Sequence, residues 1–427
     1  MSAAGVSTNL QVVHGQSADL ADPDVRLLVP EGDVDGPEVS VVIPALNEEL
    51  TIGDFVDWCR EGFARAGVVG EVLIIDSSTD RTSEIALQKG TRVLKTPRRG
   101  LGRAYIDSLP YIRSNFVIMG DADCTYDFRE LGAFVEKFRA GYELVMGSRF
   151  RGFIEPGAMP PLHQYLGTPV TTWILNVLYS SRFSDIHCGM RGITRDALHR
   201  LQLESQSWEY ASEMVLKSVH LKLRTAEVPV RFLKDREGRL SHHKRSGWFS
   251  PWAAAWINLR AMFVYGADFF VFKPGLALLA VGLLLTLPLT FGPMKVGPVT
   301  FSLYWMLAGM TASIVGLQGV YLGCIARILY DFTGDARRAL LPFFSYTRTV
   351  LGSASLLLAG VGMTLPLVVS YVRHGLALPA DWSPTSYMAV TGLFCIIAGF
   401  GTFVFTLLLH AAAKLANRCY GSPRSGA

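Results

Sequence analysis

Phe116-Val117-Ile118-Met119-Gly120-Asp121-Ala122-Asp123 is the stretch from which the rest of the chain is best read. Four apolar residues make a short run of the kind buried inside a parallel sheet, and a glycine ends it. Two carboxylates follow at i and i+2. At a strand end such a pair can face one hard cation. Mg²⁺ and Mn²⁺ prefer oxygen ligands, usually one or two carboxylates completed by phosphates and water. A turn or helix-capping aspartate would leave the same triplet, so the neighbouring segments decide.

Working outward, Val39 to Asn47 holds a continuous β-branched run, and residues 48–67 have helical spacing. Glu71 to Asp76 reads as a second strand, with Ser78-Thr79-Asp80 able to cap the next helix. Short strands are also predicted at Thr91 to Leu94 and Leu144 to Met146, and Asp127 as a cap near Leu131. Strands alternating with helices predict an α/β, Rossmann-like, mostly parallel sheet covered on both faces. Ligands of such sheets sit at the carboxyl ends of the strands. Asn47, Asp76, Asp121 and Arg149 all fall just past strands and are expected to converge on one edge.

The 427 residues divide unevenly in polarity. Only 18% are charged, against about 25% in an average soluble protein, and the deficit lies in 266–415. Residues 1–38, rich in Ala, Gly, Ser, Asp and Pro, read as a flexible tail. Trp248, Trp252 and Trp256 recur every four residues, which predicts interfacial amphipathic helices over 246–268. Four apolar segments follow within 269–415, about 271–292, 303–326, 350–371 and 387–411, each near the roughly 20 residues of a spanning helix. Lys and Arg are alternately sparse and abundant in the loops. That pattern predicts four spans with both termini, including the tail 416–427, in the cytoplasm. No charged-then-apolar leader pattern opens the chain, so the soluble domain is expected to face the cytoplasm from the cell membrane.

A net charge of +4 is too small to point to nucleic acid, and no aromatic-basic stripe accompanies it. Six cysteines without a CxxC pair predict neither a disulfide framework nor a zinc site.

Val41-Val42-Ile43-Pro44-Ala45-Leu46-Asn47-Glu48, Asp76-Ser77-Ser78-Thr79-Asp80-Arg81-Thr82 and Gly120-Asp121-Ala122-Asp123 resemble the signatures of family 2 glycosyltransferases with the GT-A fold. Arg99-Gly100-Leu101-Gly102, Met146-Gly147-Ser148-Arg149, Cys188-Gly189-Met190-Arg191 and Asp235-Arg236-Glu237-Gly238-Arg239-Leu240-Ser241 resemble the polyprenyl-phosphate (dolichol-phosphate) glucosyl- and mannosyltransferases. The likeness spans 39–245. It implies that Pro44, Leu46, Glu48, Asp76, Arg99, Gly100, Asp121, Ala122 and Arg236 bind the nucleotide sugar. It further implies that Asp121 and Asp123 hold Mg²⁺ or Mn²⁺, and that Asp123 and Arg149 serve catalysis. Arg149, His163, Arg239 and Ser241 are expected to meet the acceptor phosphate. Glu213, four residues after Glu209, is carried as a third catalytic candidate, with sugar-binding and structural roles open.

Three departures stand out: Ile75 before the acidic turn, His163 where relatives place a second phosphate-binding arginine, and Arg239 ahead of Leu240-Ser241. The implied reaction is inverting transfer of a hexose from a nucleotide sugar, UDP-glucose first and GDP-mannose second, to polyprenyl phosphate. A processive polysaccharide synthase is the enzymatic alternative, though no Gln-x-x-Arg-Trp motif is present. A lipid carrier or flippase is the non-catalytic one. Homo-oligomerisation stays open.

Overall fold

The computed structural model describes residues 11–13, 22–179, 181–236, 238, 266, 268–331, 334–377 and 383–420. The predicted interfacial helices lie almost entirely outside these residues. The chain forms two compact units, Met1–Met262 and Phe263–Ala427.

The first unit is built on a nine-stranded sheet. Its strands are β1 (Gln11–Val13), β2 (Arg26–Val29), β3 (Val39–Ala45), β4 (Gly70–Asp76), β5 (Arg92–Lys95), β6 (Phe116–Met119), β7 (Leu144–Ile154), β8 (Arg191–Thr194) and β9 (Thr225–Phe232). The order is β1-β2-β5-β4-β3-β6-β8-β7-β9. The central β5, β4, β3 and β6 run parallel. Their Val, Ile and Leu side chains are buried because helices cover both faces. Helix α1 (Ile52–Ala66) shows why: Ile52, Phe55, Val56, Cys59 and Phe63 share one buried stripe. Gly67 then ends the helix at φ 62°, a conformation glycine adopts without strain.

The fold class is the predicted one, with corrections in detail. The segment read as part of a flexible tail contains β1 and β2, and β2 pairs antiparallel with both β1 and β5, extending the sheet beyond β5. Leu27 is buried there. Three apolar residues after Arg26 are too short a run to stand out from their Pro-, Asp- and Gly-rich surroundings. β7 is also longer than predicted, because it follows β9 past a bulge between Ser148 and Phe153.

Among its described residues the second unit holds four helices long and apolar enough to cross a membrane: Phe270–Phe291, Leu303–Leu329, Tyr346–Arg373 and Pro384–Arg418. They cover all four predicted segments, and the last helix runs on into the residues assigned to a tail. Glycines let two of them touch backbone to backbone. A Cβ at Gly316 would meet the Leu279 backbone nitrogen at 2.3 Å, and one at Gly282 the Ser313 nitrogen at 2.4 Å. Small residues serve this purpose where lipid leaves no hydrophobic drive between helices.

Candidate active site

Sheet register brings the site together. Ala45 pairs with Asp76 and Val42 with Met119, while Met119 and Met146 both pair with Arg191. The carboxyl ends of β3, β4 and β6 and the middle of β7 therefore lie at one level, so that Asp76 and Arg149, expected just past strands, stand at the end of β4 and inside β7. Asn47, Asp76, Asp121 and Arg149 are all at that level.

Asp76 is fully buried. Its carboxylate accepts from the Ser78 amide at 3.0 Å, from the Ser83 hydroxyl and from Lys95 Nζ at 2.6 Å. The acidic residue thus shapes the turn that follows β4. The β3 loop is tied to this turn. Asn47, at φ 57°, donates its amide to Ser78 Oγ and accepts from the Thr79 amide. Asparagine tolerates that left-handed backbone better than most residues. Glu48 is buried and its amide donates to Thr82 Oγ1. Pro44 and Leu46 are half-buried beside it.

Asp121 and Asp123 are half-buried, with Ala122 buried between them. Asp123 Oδ1 accepts from the Thr125 amide at 3.0 Å and from its hydroxyl at 2.6 Å. Asp121 Oδ2 occupies space left open by Gly189, where a Cβ would approach it to 2.6 Å. The Gly189 amide in turn donates to the Tyr126 hydroxyl. On the other side the Tyr105 hydroxyl donates to Gly120 O at 3.1 Å, and its ring stacks on Tyr210. Burial pushes the Tyr105 and Tyr126 phenols well up, so both stay protonated. Two oxygen-bearing side chains in an adapted cradle suit Mg²⁺ or Mn²⁺ as partial ligands. Among the described residues no cluster of three His, Cys, Asp or Glu side chains could complete a coordination sphere.

Arg149 is buried and paired bidentately with Asp185, at 2.7 and 2.8 Å. Its guanidinium also lies over the Phe232 ring. Asp185 was not singled out in the sequence, although it stands three residues before Cys188. Next to it, burial first and Arg149 second lower the His187 pKa to about 4. The ring is neutral and meets Thr171 Oγ1 at 2.9 Å.

Glu213 is fully buried. Its oxygens accept from the Glu204 and Ser205 amides, and Lys217 Nζ lies 2.6 Å away. This grip shapes the loop on which helix α2 (Leu101–Ser108) begins: a Cβ on Gly102 would meet Ser205 O at 2.0 Å, and one on Gly100 would meet Gln206 O at 2.2 Å. Glu209 Oε2, by contrast, is buried with no hydrogen-bond partner among the described residues.

Arg99 and Arg236 have other partners, while His163 lies near enough to His187 to act on its pKa. Arg99 pairs with Asp22 and Asp24 of the N-terminal segment. Arg236 pairs with Asp54. His163 opens the helical stretch after β7. Arg239 and Ser241 lie outside the described residues.

Residues 40–202 match the profile of Glycosyl transferase family 2, and residues 324–413 that of the Glycosyltransferase family 2 C-terminal transmembrane region. The low-salt glycan biosynthesis hexosyltransferase Agl6 of Haloferax volcanii is 34% identical over 373 residues, 86% of this chain and 88% of that protein. A dolichyl-phosphate hexose transferase of the same organism is 28% identical over 204 residues, 47% of this chain and 85% of its own length. Glucosyl-3-phosphoglycerate synthase from Mycobacterium tuberculosis, solved with Mn²⁺ and UDP-glucose, shares 21% identity at a TM-score of 0.41, over 54% of this chain and 79% of that one.

Proposed function

Because this chain belongs to glycosyltransferase family 2, we propose that it transfers a hexose from a nucleotide sugar to a polyprenyl phosphate, with inversion at the anomeric carbon. The observation that carries this reading is the acidic pair Asp121/Asp123 on the sheet edge it shares with Asp76 and Arg149. UDP-glucose is the first donor to test and GDP-mannose the second. A dolichyl-phosphate hexose transferase among the relatives favours the lipid acceptor.

In this reading the turns after β3 and β4 hold the nucleoside, through Pro44, Leu46, Glu48 and the loop that Asp76 shapes. Asp121 and Asp123 would hold Mg²⁺ or Mn²⁺ against the donor diphosphate, where the ion neutralises the charge that builds as the leaving group departs. An acceptor phosphate oxygen attacks the anomeric carbon, and the sugar–diphosphate bond breaks with its electron pair going to the nucleoside diphosphate. A lipid monophosphate has a second pKa of about 6 and is already anionic near neutral pH. It requires no general base, only positive charge to place it. Arg149 is that charge. Asp185 holds its fork in one orientation through Nε and Nη2.

Glu213 has both oxygens engaged and is assigned to holding the loop over 202–206. Glu209, with an unclaimed oxygen, is the carboxylate left for a sugar hydroxyl. The active domain is assigned to the cytoplasmic side, where nucleotide sugars are made.

Purified full-length protein with Mn²⁺ or Mg²⁺, a panel of labelled nucleotide sugars and polyprenyl phosphate tests this reading. Labelled lipid from one donor is expected. Asp123→Ala should reduce it by at least about 10²-fold, the scale of losing a main electrostatic element, and a chelator should abolish it. Failure of every donor to label lipid would overturn the assignment.

A further inference from the structure

The helical stretch from His163 to Tyr179, comprising a π turn and helix α3 (Thr168–Tyr179), has an outer face that the transfer reaction does not use. Its inner face is packed: Leu175, Thr172 and Thr168 are buried, and Thr171 meets His187. Its outer face carries Leu162, Tyr165, Leu166, Val170, Trp173 and Val177, spaced at helical intervals and exposed to solvent. Tyr165 is 75% and Trp173 64% exposed. Residues 156–181 contain no Asp, Glu, Lys or Arg. Water-facing helices ordinarily carry charge on the outer face, and contiguous apolar patches of this kind mark interaction surfaces.

Charge says which surface. Asn176 on this helix bonds the backbone of Phe183 in both directions, at 2.7 and 2.9 Å. That brings Arg182 next to the last helical turns. Arg182, Arg151 and Lys222 line a cleft of about 500 Å³ together with a single anion, Glu227, which pairs with Arg151 at 3.3 Å. An apolar stripe bearing Trp and Tyr, bordered by cations, complements the acyl–headgroup boundary of an anionic bilayer. The same chain carries four candidate spans, so a bilayer is always within its reach.

We propose that Leu162–Val177 docks on the surface of an anionic lipid bilayer, with Trp173 and Val170 entering the acyl boundary and Arg151 and Arg182 meeting lipid phosphates. This surface is separate from the transfer chemistry and stands on different observations.

The test uses full-length protein in nanodiscs of mixed phosphatidylglycerol and phosphatidylcholine, with Cys395 and Cys419 replaced by Ser. Spin labels are placed singly through Val170→Cys, Trp173→Cys and, as a water-facing reference, Glu136→Cys. The ratio of oxygen to nickel-chelate accessibility should be several-fold higher at 170 and 173 than at 136. It should fall when Arg151→Glu and Arg182→Glu are combined, or when the discs contain phosphatidylcholine alone. Equal ratios at all three positions would overturn the proposal. So would protection of 170 and 173 from both reagents, which would mean that protein covers the stripe: residues 246–265 or a second copy. Because all three side chains are exposed, loss of folding is not expected. Should Trp173→Cys nevertheless fail to fold, Val177→Cys replaces it with the same expected and overturning results.

Discussion

Glu213 and His187 show what single residues contribute. Glu213 is a buried anion with one cation and two backbone amides as partners. Removing one partner of a buried pair typically costs about 3–5 kcal/mol, because the other charge is left without compensation. Glu213→Gln is therefore expected to destabilise the first unit on that scale, read as a lowered melting temperature in detergent. A melting temperature unchanged from wild type would contradict the structural role. His187 makes a second forecast. Unfolded, it titrates near 6.5, and folded near 4. Burial and the cations Arg149 and Arg191, with His163, outweigh Asp185. Between those pH values the unfolded chain binds a proton that the folded chain does not, so stability falls as pH is lowered from 6.5 towards 4. His187→Asn should flatten that part of the stability–pH curve. An equally steep curve in the variant would exclude His187 as the titrating group. Both residues are visible in the sequence as polar letters. Their partners are not, because Glu204, Ser205, Asp185 and Arg149 reach them only through the fold.

At the scale of elements, the turn entering β8 supports the acidic loop after β6. Gly189 leaves room for Asp121 Oδ2 and donates its amide to Tyr126. Gly189→Ala places a methyl 2.6 Å from that oxygen. Transfer activity should drop at least tenfold (about 1.4 kcal/mol in the barrier) while the protein remains folded. Full activity in a well-folded variant would show that Asp121 tolerates displacement. The strands β3 to β6 were legible because four buried runs of Val, Ile and Leu have no other home in a domain of this composition. β2 was not legible, since four residues acquire strand character only by pairing with β5. The clamp of Asp185 on Arg149 was missed for the same reason: 36 residues separate the two in sequence.

For the whole molecule, the four apolar helices make this an integral membrane protein by length and composition. It should stay in the membrane pellet after alkaline carbonate washing and leave only with detergent. Release by carbonate would count against spanning helices. The parallel α/β core, the acidic pair after β6 and the four apolar segments are legible along the chain. Each depends on local periodicity or on hydrophobicity over tens of residues, and both are written directly along the chain. Folding alone reveals that Glu213 has both oxygens engaged while Glu209 Oε2 has no partner among the described residues, that Asp185 orients Arg149, and that an uncharged helix keeps its aromatic face outward. Those outcomes depend on which distant groups meet and which surfaces remain uncovered, and no local pattern specifies either. The acidic pair itself stands between the two: its chemistry is local, but a sheet register shared by β3, β6, β7 and β8 is what sets it beside the other site residues.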